Sequence, residues 1–310
     1  MRSRALGSTS LLFLLTALAV VTGCGNSHGC ASTCGCGACP IGAIPLLYAT
    51  TSSNQILGFS ISSSGALTAL PATTGPANSE SVGLESNNLV FADTSTNSVH
   101  SFSVGLTDGT LTPIQGSPFS LGAPNGGPTS IALSPGDSLY ATEPNGTIVG
   151  YASTINGPVE FGVFGTPLPG SPYPAGVAPA QIAFAAASNG SVLYASDPGD
   201  ATGGILAYSL GSTGLTPIQG SPFPTVPGSN PTFVFQGSYA AAGQGVQGQF
   251  VLVSLTNAAK LAVFAIGSDG ALTAVPGSPF SVGNGPATIA EDDQNHVFVL
   301  NGADHTVSGV

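Results

Sequence analysis

The chain has 310 residues, with 3 Lys or Arg against 14 Asp or Glu, a formal net charge of −11, and 44 Gly and 25 Pro. So little positive charge excludes the clustered cations that DNA, RNA and phosphorylated ligands rely on, and no nucleic-acid partner is expected. Gly and Pro at this density, with β-branched and aromatic residues between them, nearly exclude helix outside the leader and point to an all-β chain.

The first element is an apolar leader. Arg2 and Arg4 precede the stretch Leu11 to Val21, which is too short to cross a bilayer as a helix, and Val21-Thr22-Gly23-Cys24 follows. Charged, apolar and small residues in this order read as an export signal. The last four residues resemble the lipobox of bacterial lipoproteins. That resemblance implies a diacylglycerol thioether on Cys24, cleavage before it, and attachment to a membrane through several acyl chains. Residues 1–23 would then be a signal peptide, 24–45 a lipidated Cys-rich tether and 46–310 the folded domain. Gly25 rather than Asp after the cysteine resembles the Gram-negative pattern for the outer membrane, facing the periplasm or the surface. An ordinary secretory signal with Cys24 as a bystander is the alternative.

Cys30, Cys34, Cys36 and Cys39 crowd into the tether. Four thiolates at such spacing can ligate a metal. An oxidising compartment instead favours disulfides, and two local ones hinged at Gly35 and Gly37 are the preferred expectation, with connectivity open. No cofactor is expected.

From Leu46 onward the chain repeats. An apolar strand ending on a small or acidic residue recurs as Leu46 to Thr50, Leu89 to Asp93, Leu139 to Glu143 and Val192 to Asp197, and more weakly as Phe250 to Ser254 and Val297 to Asn301. A second strand with period-two alternation follows each polar turn, as in Ile56 to Ile61, Val99 to Val104, Ile205 to Leu210 and Leu261 to Ile266. Next come Gly-x-Leu-Thr and then Gly-Ser-Pro-Phe. The nonapeptide Leu-Thr-Pro-Ile-Gln-Gly-Ser-Pro-Phe stands unchanged at Leu111 to Phe119 and at Leu215 to Phe223, with variants ending at Tyr173 and Phe280. Four short antiparallel strands in about 50 residues, repeated, form the blades of a β-propeller, because one such unit cannot bury its own apolar faces.

Blade counting gives about six. The series opens at Leu46 without an inner strand, supplies four full blades as far as Thr273, and closes with three strands, the last at Thr306 to Val310. Either the ring has six blades and closes poorly, or it is a seven-bladed ring short of roughly one repeat.

Asp93, Glu143 and Asp197 occupy equivalent strand ends in consecutive blades, so a propeller would gather them about its axis as a candidate acidic site for a cation or a general base. The competing expectation, and the preferred one, is that each carboxylate caps the turn after it. His28 lies in the tether, and His100, His296 and His305 fall in two distant units. Gly25-Asn-Ser-His-Gly29 matches a nucleophile-elbow pattern without the strand and helix that motif needs. Glu291 to Asn295 lacks calcium-loop spacing and reads as a solvated turn.

Leu-Tyr-Ala, Phe-Ser-Ile, Gly-x-Leu-Thr and Gly-Ser-Pro-Phe over residues 46 to 310 resemble the lactonase-type seven-bladed propellers, a family that includes 6-phosphogluconolactonase. The resemblance implies a scaffold. Family enzymes acting on phosphogluconolactone need basic residues for the phosphate, and this chain has no Arg after position 4, so no catalytic residue is carried over. The expectation is a lipid-anchored module binding a protein or a carbohydrate-like ligand, with an exported hydrolase of unphosphorylated lactones as the alternative.

Overall fold

The computed structural model describes residues 15–21 and 45–310, except for 52–53, 63, 65, 77–78, 80, 86–87, 123–126, 135–137, 155–162, 188–189, 213, 241–245 and 292–295. Cys24, Cys30, Cys34, Cys36, Cys39 and His28 therefore lie outside the described residues, as do positions 292–295.

Six small antiparallel sheets form a six-bladed β-propeller. Blades 2 to 5 each start from an inner strand and step outward. Their inner strands are Val82–Glu85, Ser130–Leu133, Ile182–Ala187 and Pro231–Ala240, and their second strands are Asn88–Asp93, Leu139–Glu143, Gly190–Ser196 and Val246–Leu255. Blade 6 has three strands, Pro286–Glu291, Val297–Asn301 and Thr306–Gly309. The sole helical element among the described residues is the single turn Thr256–Ala258.

Blade 1 departs from the sequence reading. Its inner strand is present and is supplied by Leu15–Val21, which pairs antiparallel with Leu46–Thr51. A short apolar run serves equally as the core of an export signal or as a buried strand, and periodicity alone cannot separate the two.

The core lies between blades, where each second strand divides its side chains. Leu89 and Phe91 face back onto Leu46, Tyr48 and Ile56 of blade 1, while Val90 and Ala92 face forward onto Leu139 and Ala141 of blade 3. The same division places Tyr140 against Leu193, Tyr194 against Val251 and Val253, and Leu252 against Val299. All of these second-strand residues are buried, which is why their sequence reads as a continuous apolar run.

The Gly-Ser-Pro-Phe signature is a clamp on the third strand. Ser117, Ser171, Ser221 and Ser278 each accept, through Oγ, a hydrogen bond from a third-strand N–H: that of Ser101, Gly150, Ala207 and Val263, at 2.9 to 3.0 Å. The glycine before each serine has φ between 80° and 92°, a left-handed conformation that a side chain would strain. Ser to Pro is a cis peptide in all four copies.

Candidate functional site

The ends of the second strands sit where the chain crosses from one blade to the next. At the equivalent backward-facing position stand Thr51, Asp93, Glu143, Asp197, Leu255 and Asn301, each no more than 3% exposed. The equivalence read from the sequence therefore holds, and the three acidic side chains point toward the preceding blade and its crossing segment.

Each carboxylate has a different set of partners. Asp197 accepts from the backbone N–H groups of Val177 (2.8 Å), Ala178 (2.9 Å) and Gly199 (3.1 Å), tying the segment that enters blade 4 to its own turn. Asp93 Oδ1 accepts from the backbone of Ser95 and Thr96 and from Ser95 Oγ at 2.6 Å. Burial pushes the Asp93 carboxyl upward, but the hydrogen bonds from Ser95 and Thr96 outweigh it and hold the group below its ordinary value. Glu143 Oε2 accepts from Thr147 Oγ1 at 2.9 Å, whereas its Oε1 is buried with no hydrogen-bond partner among the described residues. An unsatisfied buried carboxylate oxygen is costly, so it marks the position most in need of a further partner.

One side-chain pairing was not visible in the sequence. Asp93 Oδ2 lies 3.4 Å from His100 Nε2. Asp93 pairs with Ser98 and Phe91 with His100 across the hairpin, so the two side chains are diagonal neighbours on one face. The signal was the polar turn 94–97 between them, which sets that register. His100 is held below the usual imidazole range, chiefly by burial, with Asp93 acting in the opposite direction. It is therefore neutral near pH 7, with a carboxylate to orient it. His296 and His305 belong to blade 6 and are not part of this pair. Among the described residues no three His, Cys, Asp or Glu side chains are grouped to hold a metal ion.

No protein-family model and no curated protein matches this sequence. Solved structures do. A proposed 6-phosphogluconolactonase from Bacteroides uniformis superposes with a TM-score of 0.61 at 18% identity, covering 85% of this chain and 77% of its own. The fold is that of the 6-phosphogluconolactonase-like propellers. A second such protein, from Bacteroides fragilis, gives 0.60 at 18% identity over 85% and 76% of the two chains. The periplasmic gluconolactonase of Pseudomonas aeruginosa gives 0.57 at 15% identity over 82% and 77%. In this six-bladed propeller the described residues carry Lys260 as the sole Lys or Arg, at the start of the third strand of blade 5.

Proposed function

We propose that the protein is a hydrolase of unphosphorylated lactones working outside the cytoplasm. The observation that carries this reading is the likeness of its fold to two proteins described as 6-phosphogluconolactonases and to one described as a periplasmic gluconolactonase. Substrate class follows from charge. With three cations in the whole sequence, two of them at Arg2 and Arg4, a phosphate would have no guanidinium or ammonium cluster to meet. A neutral sugar lactone needs none.

Lactone hydrolysis requires a base for the attacking water and a donor for the developing oxyanion. His100 is the base in this reading: with Nε2–H turned to Asp93, Nδ1 accepts the proton from water. Glu143, buried at the equivalent corner of the next blade, is the second carboxylate tested, since its Oε1 has no hydrogen-bond partner among the described residues. Attachment at Cys24 belongs to the same proposal and rests on the order of charges, apolar residues and small residues at the start of the chain.

The test is turnover of glucono-δ-lactone and other unphosphorylated lactones by the purified protein, with His100→Ala, Asp93→Asn and Glu143→Gln alongside. Loss of a general base lowers the rate by about 10²- to 10⁴-fold, so His100→Ala should fall by that amount. Wild-type hydrolysis no faster than the uncatalysed reaction overturns the proposal and leaves a module that binds a protein or a carbohydrate-like ligand.

A further inference from the structure

The three carboxylates at the blade corners are satisfied to different degrees. Both oxygens of Asp197 are committed to backbone N–H groups, and both oxygens of Asp93 to Ser95, Thr96 and His100. Glu143 is as deeply buried, at 1% exposed, yet it receives one hydrogen bond, from Thr147 Oγ1 to Oε2, and its Oε1 receives none among the described residues. It forms no ion pair among them either, and their sole Lys or Arg, Lys260, stands in blade 5. Burial, with the Glu143 charge adding to it, pushes the Tyr151 phenol up. A buried carboxylate with one donor lacks most of the compensation that a charge needs away from water.

The cause is local. Asp197-Pro198-Gly199 and Glu143-Pro144-Asn145 are equivalent turns. In the first, the short aspartate side chain accepts from the Gly199 N–H. Glu143 is longer by one methylene, and its carboxylate reaches past the turn to Thr147, the residue paired with it across the hairpin. Thr147 Oγ1 lies 2.9 Å from Glu143 Oε2 and 2.7 Å from Asn145 Oδ1. A hydroxyl has one proton, so it serves only one of these two acceptors. Oxygens at alternate positions 143, 145 and 147 therefore converge with too few protons between them. Oxygen ligands at alternate residues of a turn are also how calcium loops begin to surround their ion. Asn145 is exposed and Thr147 half-buried, so the cluster opens to solvent through them.

We infer that Glu143, Asn145 and Thr147 hold a hard divalent cation of the size of Ca²⁺ at the corner of blade 3. The ion takes the place of the missing donors. It is bound by the Glu143 carboxylate, Asn145 Oδ1 and Thr147 Oγ1, whose proton turns outward, and water completes its shell. The group contains no thiolate or imidazole, which favours a hard ion over zinc or copper. This site is independent of lactone hydrolysis.

The test is thermal unfolding of the full chain, stripped with a chelator and followed by circular dichroism, as calcium chloride is added at constant ionic strength. An ion bound by the native state alone raises the melting temperature with a saturating dependence. One carboxylate among neutral oxygens makes a weak site, so the midpoint should fall at roughly 10⁻⁴ to 10⁻³ M. Glu143→Asp should recreate the capped corner of blade 4, folded but no more responsive to calcium chloride than to sodium chloride. Thr147→Val should lose the response as well, and Asp269→Asn, at an exposed acid of blade 5, should keep it. A wild-type melting temperature that is the same in calcium chloride and in sodium chloride of equal ionic strength overturns the inference. So does a Glu143→Asp or Thr147→Val protein that responds as the wild type does.

Discussion

The hydroxyl of Tyr194 in blade 4 donates a hydrogen bond of 2.7 Å to the carbonyl of Gly270 in blade 5. Tyr48 does the same to Gly109 across blades 1 and 2, at 2.6 Å. In both cases a tyrosine of the repeated Leu-Tyr-Ala strand reaches the glycine of the next unit's Gly-x-Leu-Thr, so two sequence signatures in different blades are halves of one contact. Tyr194→Phe keeps the ring and removes the hydroxyl, leaving the buried Gly270 carbonyl unpaired. A loss of about 1–2 kcal/mol is expected in urea unfolding, with an unchanged slope.

Alkaline stability should carry the same mark. Burial, with Asp108 adding to it, pushes the Tyr48 phenol up to about 12 from 10.0. The unfolded chain releases this proton first, so the contribution of Tyr48 is complete below pH 10 and is lost as pH climbs toward 12. Tyr48→Phe should flatten the fall in melting temperature across that interval. An identical fall in wild type and variant would place the alkaline transition elsewhere.

The clamp serines offer a second stability test. Ser221 Oγ is the acceptor for the N–H of Ala207, a residue with no exposed surface. Ser221→Ala strands that N–H and should cost about 1–3 kcal/mol. Ser209, whose Oγ makes an exposed contact with the Thr216 carbonyl at 3.3 Å, is the control; its alanine variant should stay within about 0.5 kcal/mol of wild type.

Acid should act through the Asp93 and His100 pair in two steps of the same sign. His100 is held below 6.5, so as pH falls past that value the unfolded chain takes up the proton first and the native state loses stability. Asp93 is held below 3.8, so its contribution is present above that value and disappears as pH drops through the native carboxyl's lower range. Melting temperatures from pH 7.5 to 3 should show both steps in wild type and only the lower one in His100→Ala.

Residues 15–21 have two mutually exclusive fates. As the inner strand of blade 1 they cover one edge of Leu46–Thr51; removed with a signal peptide, they would leave that edge unpaired. A protein starting at Cys24 should therefore lose hydrogen-exchange protection along 46–51 and melt at a lower temperature than the full chain. Full protection of 46–51 in the shortened protein would mean that another strand fills the place.

Repetition made the architecture readable in advance. A strand carries its period of two and a blade its succession of turns wherever it stands, so strand identity, the blade series and the equivalence of Asp93, Glu143 and Asp197 follow from local rules. Gly-Ser-Pro-Phe could likewise be recognised as scaffold, although the N–H it serves could not. Other features required the assembled molecule: the approach of His100 to Asp93, the unpartnered oxygen of Glu143, and the use of Leu15–Val21 as a blade strand. Each depends on which surface lies opposite a residue, a quantity set by packing between distant segments that no local pattern of polar and apolar side chains encodes.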